Sequence, residues 1–196
     1  MSRPLRFKIV VVGASWGGID AATRIFSALP NNFPVPIVLV QHQRAAERNR
    51  LANLFVSKTS LKVVAPEHGA ELEPGGLFVA PPGYHCLVEK GGSLALALYR
   101  PVHYCRPAID ELFFSAGHIY GRGVMAVLLT GANEDGAAGM QYIKQRGGMT
   151  VAQDPADSES PIMPQSAIDA GGVDEVLPLA EIASFISDQV FGQLEQ

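Results

Sequence analysis

Ser15 stands in Gly13-Ala14-Ser15-Trp16-Gly17, a G-x-S-x-G run. Before it, Phe7 to Val12 is apolar and rich in β-branched residues. After it, Ile19, Ala22, Ile25, Phe26 and Leu29 recur at helical spacing. A serine at a tight strand-to-helix turn is the nucleophile-elbow pattern. The pattern predicts a strained serine backbone that holds Oγ clear of the sheet. Glycines flank it because side chains there would block the turn. The helix that follows aims free N–H groups at the place where an oxyanion forms. Two other readings use the same residues. One is a Gly-rich turn that only packs strand on helix. The other is the phosphate loop of a dinucleotide site, which also needs glycines between a first strand and a first helix.

Two more polar groups follow apolar runs. His42 follows Ile37 to Val40, and Asp135 follows Val124 to Leu129. Parallel sheets bind ligands outside the carboxyl ends of their strands. Ser15, His42 and Asp135 then supply a nucleophile, a base and a carboxylate at one sheet edge, which is what a serine hydrolase needs. The order Ser…His…Asp differs from the Ser…Asp…His of α/β-hydrolases, but a triad is defined by geometry. That geometry requires Ser15 Oγ within roughly 2.6–3.5 Å of one His42 nitrogen. The other nitrogen should lie within about 3.2 Å of Asp135. A dinucleotide site asks instead for Asp or Glu at the end of the second strand, where this chain has Gln41-His42-Gln43. Taken singly, His42 reads as a strand end and Asp135 as the N-cap of the helix opening at Gly136-Ala137-Ala138. His85, His103 and His118 show no metal-ligand spacing, so no metal and no cofactor is expected. Cys105 lacks an elbow of its own and is not read as a nucleophile.

The elements that position these groups alternate between strand and helix. Further strand signals are Leu61–Ala65, Leu77–Val79, His85–Glu89, Leu94–Tyr99, Met149–Ala152 and Val173–Leu177. Helix signals cover 45–57, the stretch after Arg106-Pro107, the stretch after Gly136, a short segment after Pro164, and 179–192. This predicts an α/β fold with a doubly wound, mostly parallel sheet. Residues 66–106 interrupt the alternation and predict a small antiparallel hairpin insertion, turned at Gly91-Gly92. The 196 residues suit one catalytic domain over 1–196. A net charge of −4 gives no reason to expect nucleic acid. Two cysteines, no signal peptide and no apolar run long enough to span a bilayer predict a reduced, cytoplasmic protein without membrane insertion.

The motifs resemble the catalytic domain of the chemotaxis receptor methylesterase family, CheB. They are Val12 to Gly18, Gln41-His42, Arg106-Pro107-Ala108-Ile109-Asp110, Leu129-Thr130-Gly131 and Asp135 to Met140. Ala152-Gln153-Asp154, Met163-Pro164, Ala167-Ile168 and Gly171-Gly172-Val173 continue the likeness over nearly the whole chain. The resemblance implies hydrolysis of glutamate methyl esters on the cytoplasmic helices of chemoreceptors, with methanol released, and deamidation of glutamines. It implies a catalytic triad of Ser15, His42 and Asp135, with Trp16 and Ala132 as backbone oxyanion donors. Arg44, Arg106 and Met163 are expected to meet the substrate, whose helices are rich in Glu. The Arg44, Arg48 and Arg50 cluster reads equally as a solvated helix face. The chain departs from the family at Trp16, in the Gly131-Ala132-Asn133-Glu134 loop, and in the segment after His42. It also shows no receiver domain ahead of Phe7, so a stand-alone member with a separate regulatory partner is expected. A binding module of the same fold and a nucleotide-binding protein are the other two classes.

Overall fold

The structure, a computed structural model, describes residues 5–43 and 50–192. Its first strand, β1 (Ile9–Ala14), is buried along its whole length. Val10, Val12 and Ala14 face one core and Ile9 and Val11 the other. A strand covered on both faces needs an unbroken apolar run, which this sequence provides. On the first face lie α1 (Gly18–Ala28), α2 (described from Arg50 to Val56) and α6 (Leu179–Phe191). Phe26 of α1 meets Phe55 of α2 edge to face, with ring centroids 5.6 Å apart. The second face holds α3 (Ile109–Tyr120), α4 (Ala137–Gln145) and α5 (Ile162–Asp169).

The main sheet has seven parallel strands. In chain order they are β1, β2 (Ile37–Gln41), β3 (Lys62–Val64), β5 (Gly76–Val79), β8 (Val124–Leu128), β9 (Met149–Gln153) and β10 (Glu175–Leu177). Their spatial order is β10-β9-β8-β1-β2-β5-β3. The chain winds outward from β1 through β2, then returns to the other side of β1 as β8. The strand order therefore reverses at β1, and a crevice at such a switch point is where open α/β sheets hold their ligands. Ala14 pairs with Gln41, and Gly13 with both Val40 and Leu128, so the three central strands end level with one another.

The insertion differs from the expected hairpin. β4 (Ala70–Glu71), β6 (His85–Glu89) and β7 (Ser93–Ala97) form a three-stranded antiparallel sheet in the order β4-β7-β6. Leu77–Val79, which the sequence assigns to the insertion, instead lies in the main sheet between β2 and β3. The small sheet is fastened to α3, where Val88 N–H donates to Ser115 Oγ at 3.0 Å. Among the described residues, no helix is long and apolar enough to cross a membrane.

Candidate active site

Ser15 follows directly on β1. Its N–H donates to the Thr130 carbonyl at 3.0 Å, and its own carbonyl accepts from Gly18 N–H at 2.9 Å and from Gln41 Nε2 at 2.7 Å. The elbow thus rests on β8 and β2 together. The expected strain at Ser15 is absent, since the left-handed residue is Gly17, at φ 74° and at the N-cap of α1. Glycine takes that conformation without penalty, which leaves Ser15 relaxed. Gly13 serves packing, since a Cβ there would come 2.4 Å from Ile109 Cγ2. A Cβ on Gly18 would lie 2.3 Å from Gln41 Oε1, so the missing side chain lets Gln41 pack against the turn.

His42 sits one residue past β2, its N–H donating to Ala14 O at 3.0 Å. Its ring stands between the other two groups. Nδ1 is 3.2 Å from Ser15 Oγ, and Nε2 is 2.7 Å from Asp135 Oδ2. In the usual Ser-His-Asp site the two nitrogens have the opposite roles. Asp135 is fully buried and both its oxygens are occupied. Oδ2 also accepts from Ile109 N–H at 2.7 Å, and Oδ1 accepts from Asp110 N–H at 2.9 Å. Asp135 is therefore a helix cap as well, but of α3 rather than of its own helix. The cap of α4 comes from Asp110, whose Oδ1 accepts from Gly136 and Gly139 N–H at 3.1 and 2.7 Å. Two carboxylates exchange caps between two helices, and that exchange fixes the angle at which Asp135 meets His42. Each cap satisfies helix-end donors that are buried here.

The electrostatics follow from this packing. Burial pulls the His42 ring below its usual range, but the hydrogen bond to Asp135 and the contact with Cys105 outweigh it and take the ring up to about 9. Asp110 is pushed up to about 6, first by burial and then by the neighbouring Asp135, against the pull of the Gly139 N–H and His103. His103 lies 3.3 Å from Asp110 and 3.5 Å from the exposed Glu134.

The other expected site residues divide. The Trp16 side chain is 66% exposed, and its carbonyl accepts from Thr130 Oγ1 at 2.9 Å. The backbone N–H groups of Trp16 and Ala132 have no backbone partner among the described residues. Arg106 lies beside His42 on an open cleft of about 370 Å³, its Nη1 donating to Tyr99 O at 2.6 Å. Met163 corrects its assignment. It is fully buried against Gly131, so its side chain presents no exposed surface to a substrate. Arg44 and Arg48 lie outside the described residues. Gln41, Thr130 and Asp110, which the motifs contain without a role, are structural parts of the site. Cys105, which has no elbow of its own, nevertheless brings Sγ to 3.4 Å from His42 Nδ1. His42, Cys105 and Asp135 bring donor atoms within 4.8 Å of one another, as do His103, Asp110 and Asp135. Asp135 Oδ2 already accepts two hydrogen bonds, from His42 and Ile109, so a cation bound there would have to displace one of them.

Comparison with known proteins agrees along the whole chain. The family model described as CheB methylesterase matches residues 10–186. A Leptospira interrogans protein named protein-glutamate methylesterase/protein-glutamine glutaminase is 39% identical over 192 residues, covering 98% of this chain and 100% of that protein. A Carboxydothermus hydrogenoformans protein of the same name is 44% identical over 188 residues, 93% of this chain and 55% of the relative. The protein-glutamate methylesterase FrzG of Myxococcus xanthus is 37% identical, over 95% of this chain and 56% of its own length. This chain thus spans the whole of the first relative and about half of the other two. The crystal structure of the Thermotoga maritima CheB methylesterase catalytic domain superposes with a TM-score of 0.90 at 35% identity, covering 94% of this chain and 99% of that one. The chain belongs to the CheB methylesterase family.

Proposed function

We propose that this chain is a cofactor-free serine esterase that removes methyl groups from glutamate side chains of chemoreceptor-type proteins in the cytoplasm. The whole chain acts as one catalytic unit. The observation that carries the reading is the His42 ring held between Ser15 Oγ at 3.2 Å and Asp135 Oδ2 at 2.7 Å, in a member of the methylesterase family. His42 Nδ1 takes the Ser15 proton as Oγ attacks the γ-carbonyl of the methylated glutamate. Asp135 accepts from Nε2–H and stabilises the imidazolium. The N–H groups of Trp16 and Ala132 face the oxyanion. His42 then returns the proton to the departing methoxide, and methanol leaves. A water activated by His42 releases the glutamate. A glutamine substrate follows the same route with ammonia as the leaving group. Arg106 and the Arg44 segment receive the acidic flank of the receptor helix.

A second reading has Cys105 as the nucleophile, because its Sγ lies 3.4 Å from the same His42 nitrogen. Oxyanion donors favour Ser15. The first N–H groups of α3, the helix nearest Cys105 in sequence, are already taken by Asp135. Ser15 sits at the start of α1. The test is methanol release from a methyl-esterified receptor fragment. Ser15→Ala should lower kcat by about 10³-fold or more. Cys105→Ser should keep more than a tenth of the wild-type rate on the scale of such truncations. The opposite ranking would transfer the nucleophile role to Cys105.

A further inference from the structure

The proposed mechanism leaves one nucleophilic group beside the catalytic histidine unused. Val102 and Cys105 pair as a two-residue hairpin. Val102 N–H donates to Cys105 O at 3.1 Å, and Cys105 N–H to Val102 O at 2.8 Å. Its two central residues, His103 and Tyr104, sit at φ 48° and 61°. This turn brings Cys105 Sγ to 3.4 Å from His42 Nδ1, the nitrogen that also faces Ser15. Asn133 Nδ2 also donates to the sulfur, at 3.6 Å. The hairpin is anchored from behind by His85, which is fully buried. Its Nε2–H donates to Arg100 O at 3.1 Å, and its Nδ1 accepts from Ala108 N–H at 3.3 Å. His42 and Cys105 both line the open cleft of about 370 Å³, with Tyr104 and Arg106, while Ser15 is not on its wall. A small molecule in that cleft therefore meets the sulfur and the imidazole together.

We propose that Cys105 and His42 form a second reactive pair, a modification site for small soft electrophiles whose capture closes the esterase. A histidine within hydrogen-bond reach can take the thiol proton as the sulfur attacks, and the Asn133 amide donor faces the charge that develops. Cys105 is among the groups that raise the affinity of His42 for a proton, as such a pair requires. With a carbon electrophile such as iodoacetamide, the Cys105 proton moves to His42 Nδ1. The sulfur attacks the methylene carbon, the C–S bond forms, the C–I bond breaks and iodide leaves. The thioether then occupies the space beside Nδ1 and bars it from Ser15. The consequence for activity rests on the reading of Ser15 and His42 as the esterase pair. The labelling itself does not.

The internal control is Cys86. It is fully buried in the second core, and burial pushes its thiol up to about 12. The experiment treats the purified full chain with iodoacetamide in the presence of EDTA. Adducts are located by peptide mass, and methanol release is followed in parallel. In wild type, one adduct should form on Cys105 and none on Cys86, with activity lost in step with labelling. His42→Ala should slow labelling at Cys105 by tenfold or more, while Ser15→Ala should not slow it. Cys105→Ser should keep its own untreated rate in the reagent. Labelling of Cys105 at equal rates in wild type and His42→Ala would overturn the pair, as would full labelling with no loss of activity. Loss of the Ser15 reading looks different. There, Ser15→Ala would release methanol at the wild-type rate whatever the labelling pattern.

Discussion

Asp135→Asn separates the two roles the structure gives this residue. Oδ2 accepts from His42 Nε2 and Ile109 N–H, both at 2.7 Å, while Oδ1 accepts from Asp110 N–H alone at 2.9 Å. An asparagine must put its NH₂ at one of these places. At the Oδ2 position it would face two donors, so it will take the Oδ1 position and face one. The Asp110 N–H is then buried without an acceptor, which costs about 1–3 kcal/mol. For a chain of this length that lowers Tm by about 3–10 °C. The carbonyl still receives the His42 Nε2–H, so the tautomer is preserved and only the charge is lost. Asp135 is the largest of the influences that raise His42 from 6.5 to about 9. At 1.36 kcal/mol per pH unit, that net displacement, which burial opposes and Cys105 shares, is on the order of 3 kcal/mol. Withdrawn from the imidazolium that forms as Ser15 attacks, it lowers kcat/KM by about 10²-fold on the plateau above about pH 9, where the wild-type ring is already neutral. The loss should be smaller than the roughly 10⁴-fold of enzymes in which the same change also reverses the tautomer. Thermal unfolding and methanol release on the same preparation measure both. An unchanged Tm would refute the cap, and a plateau kcat/KM above about pH 9 within threefold of wild type would refute the charge.

Four further outcomes follow from the same packing. Only neutral His42 can take the Ser15 proton, and Ser15, Cys105 and Asp135 face its ring, so kcat/KM should climb with pH until about 9. A plateau already reached near pH 7 would contradict this. The same ring binds its proton more tightly when folded than when unfolded, so its contribution to stability is complete below about pH 6.5 and is lost as pH rises through about 9. Urea midpoints of wild type and His42→Gln should therefore draw together across that window. Asp110→Ala should strip the Gly136 and Gly139 N–H groups of their acceptor and lower stability by about 1–3 kcal/mol, read as a fall in the urea midpoint. Gly17→Ala should cost about 1–3 kcal/mol through its left-handed backbone, and its Cβ would also lie 2.7 Å from Glu159 Cβ. A Tm equal to wild type would refute that account of the elbow.

The parts of the site legible in the sequence are those built from local signals. Three apolar runs locate β1, β2 and β8, and parallel pairing then carries their ends to one edge. What escaped is non-local. Leu77–Val79 lies between Gly/Pro-rich turns, which hid its membership of the main sheet, and β4 is only two residues long, too short for any periodicity. The N-cap pattern at Asp135 is visible, but a cap exchanged with Asp110 across 25 residues leaves no spacing to read. Cys105 reaches His42 through a turn whose left-handed positions are filled by His103 and Tyr104 instead of the glycine or asparagine that would announce it. Met163 matches a family motif, yet a motif does not say whether its residue faces the cleft or the core.

The most direct test of the account is to find which atom forms the covalent bond to an ester-like inhibitor. Wild-type protein is incubated with a fluorophosphonate, and the adduct is assigned by peptide mass, with His42→Ala as the comparison. The account predicts one phosphonyl group per chain, on Ser15 and absent from His42→Ala. An adduct on Cys105, or none on a preparation that releases methanol from its substrate, would contradict it.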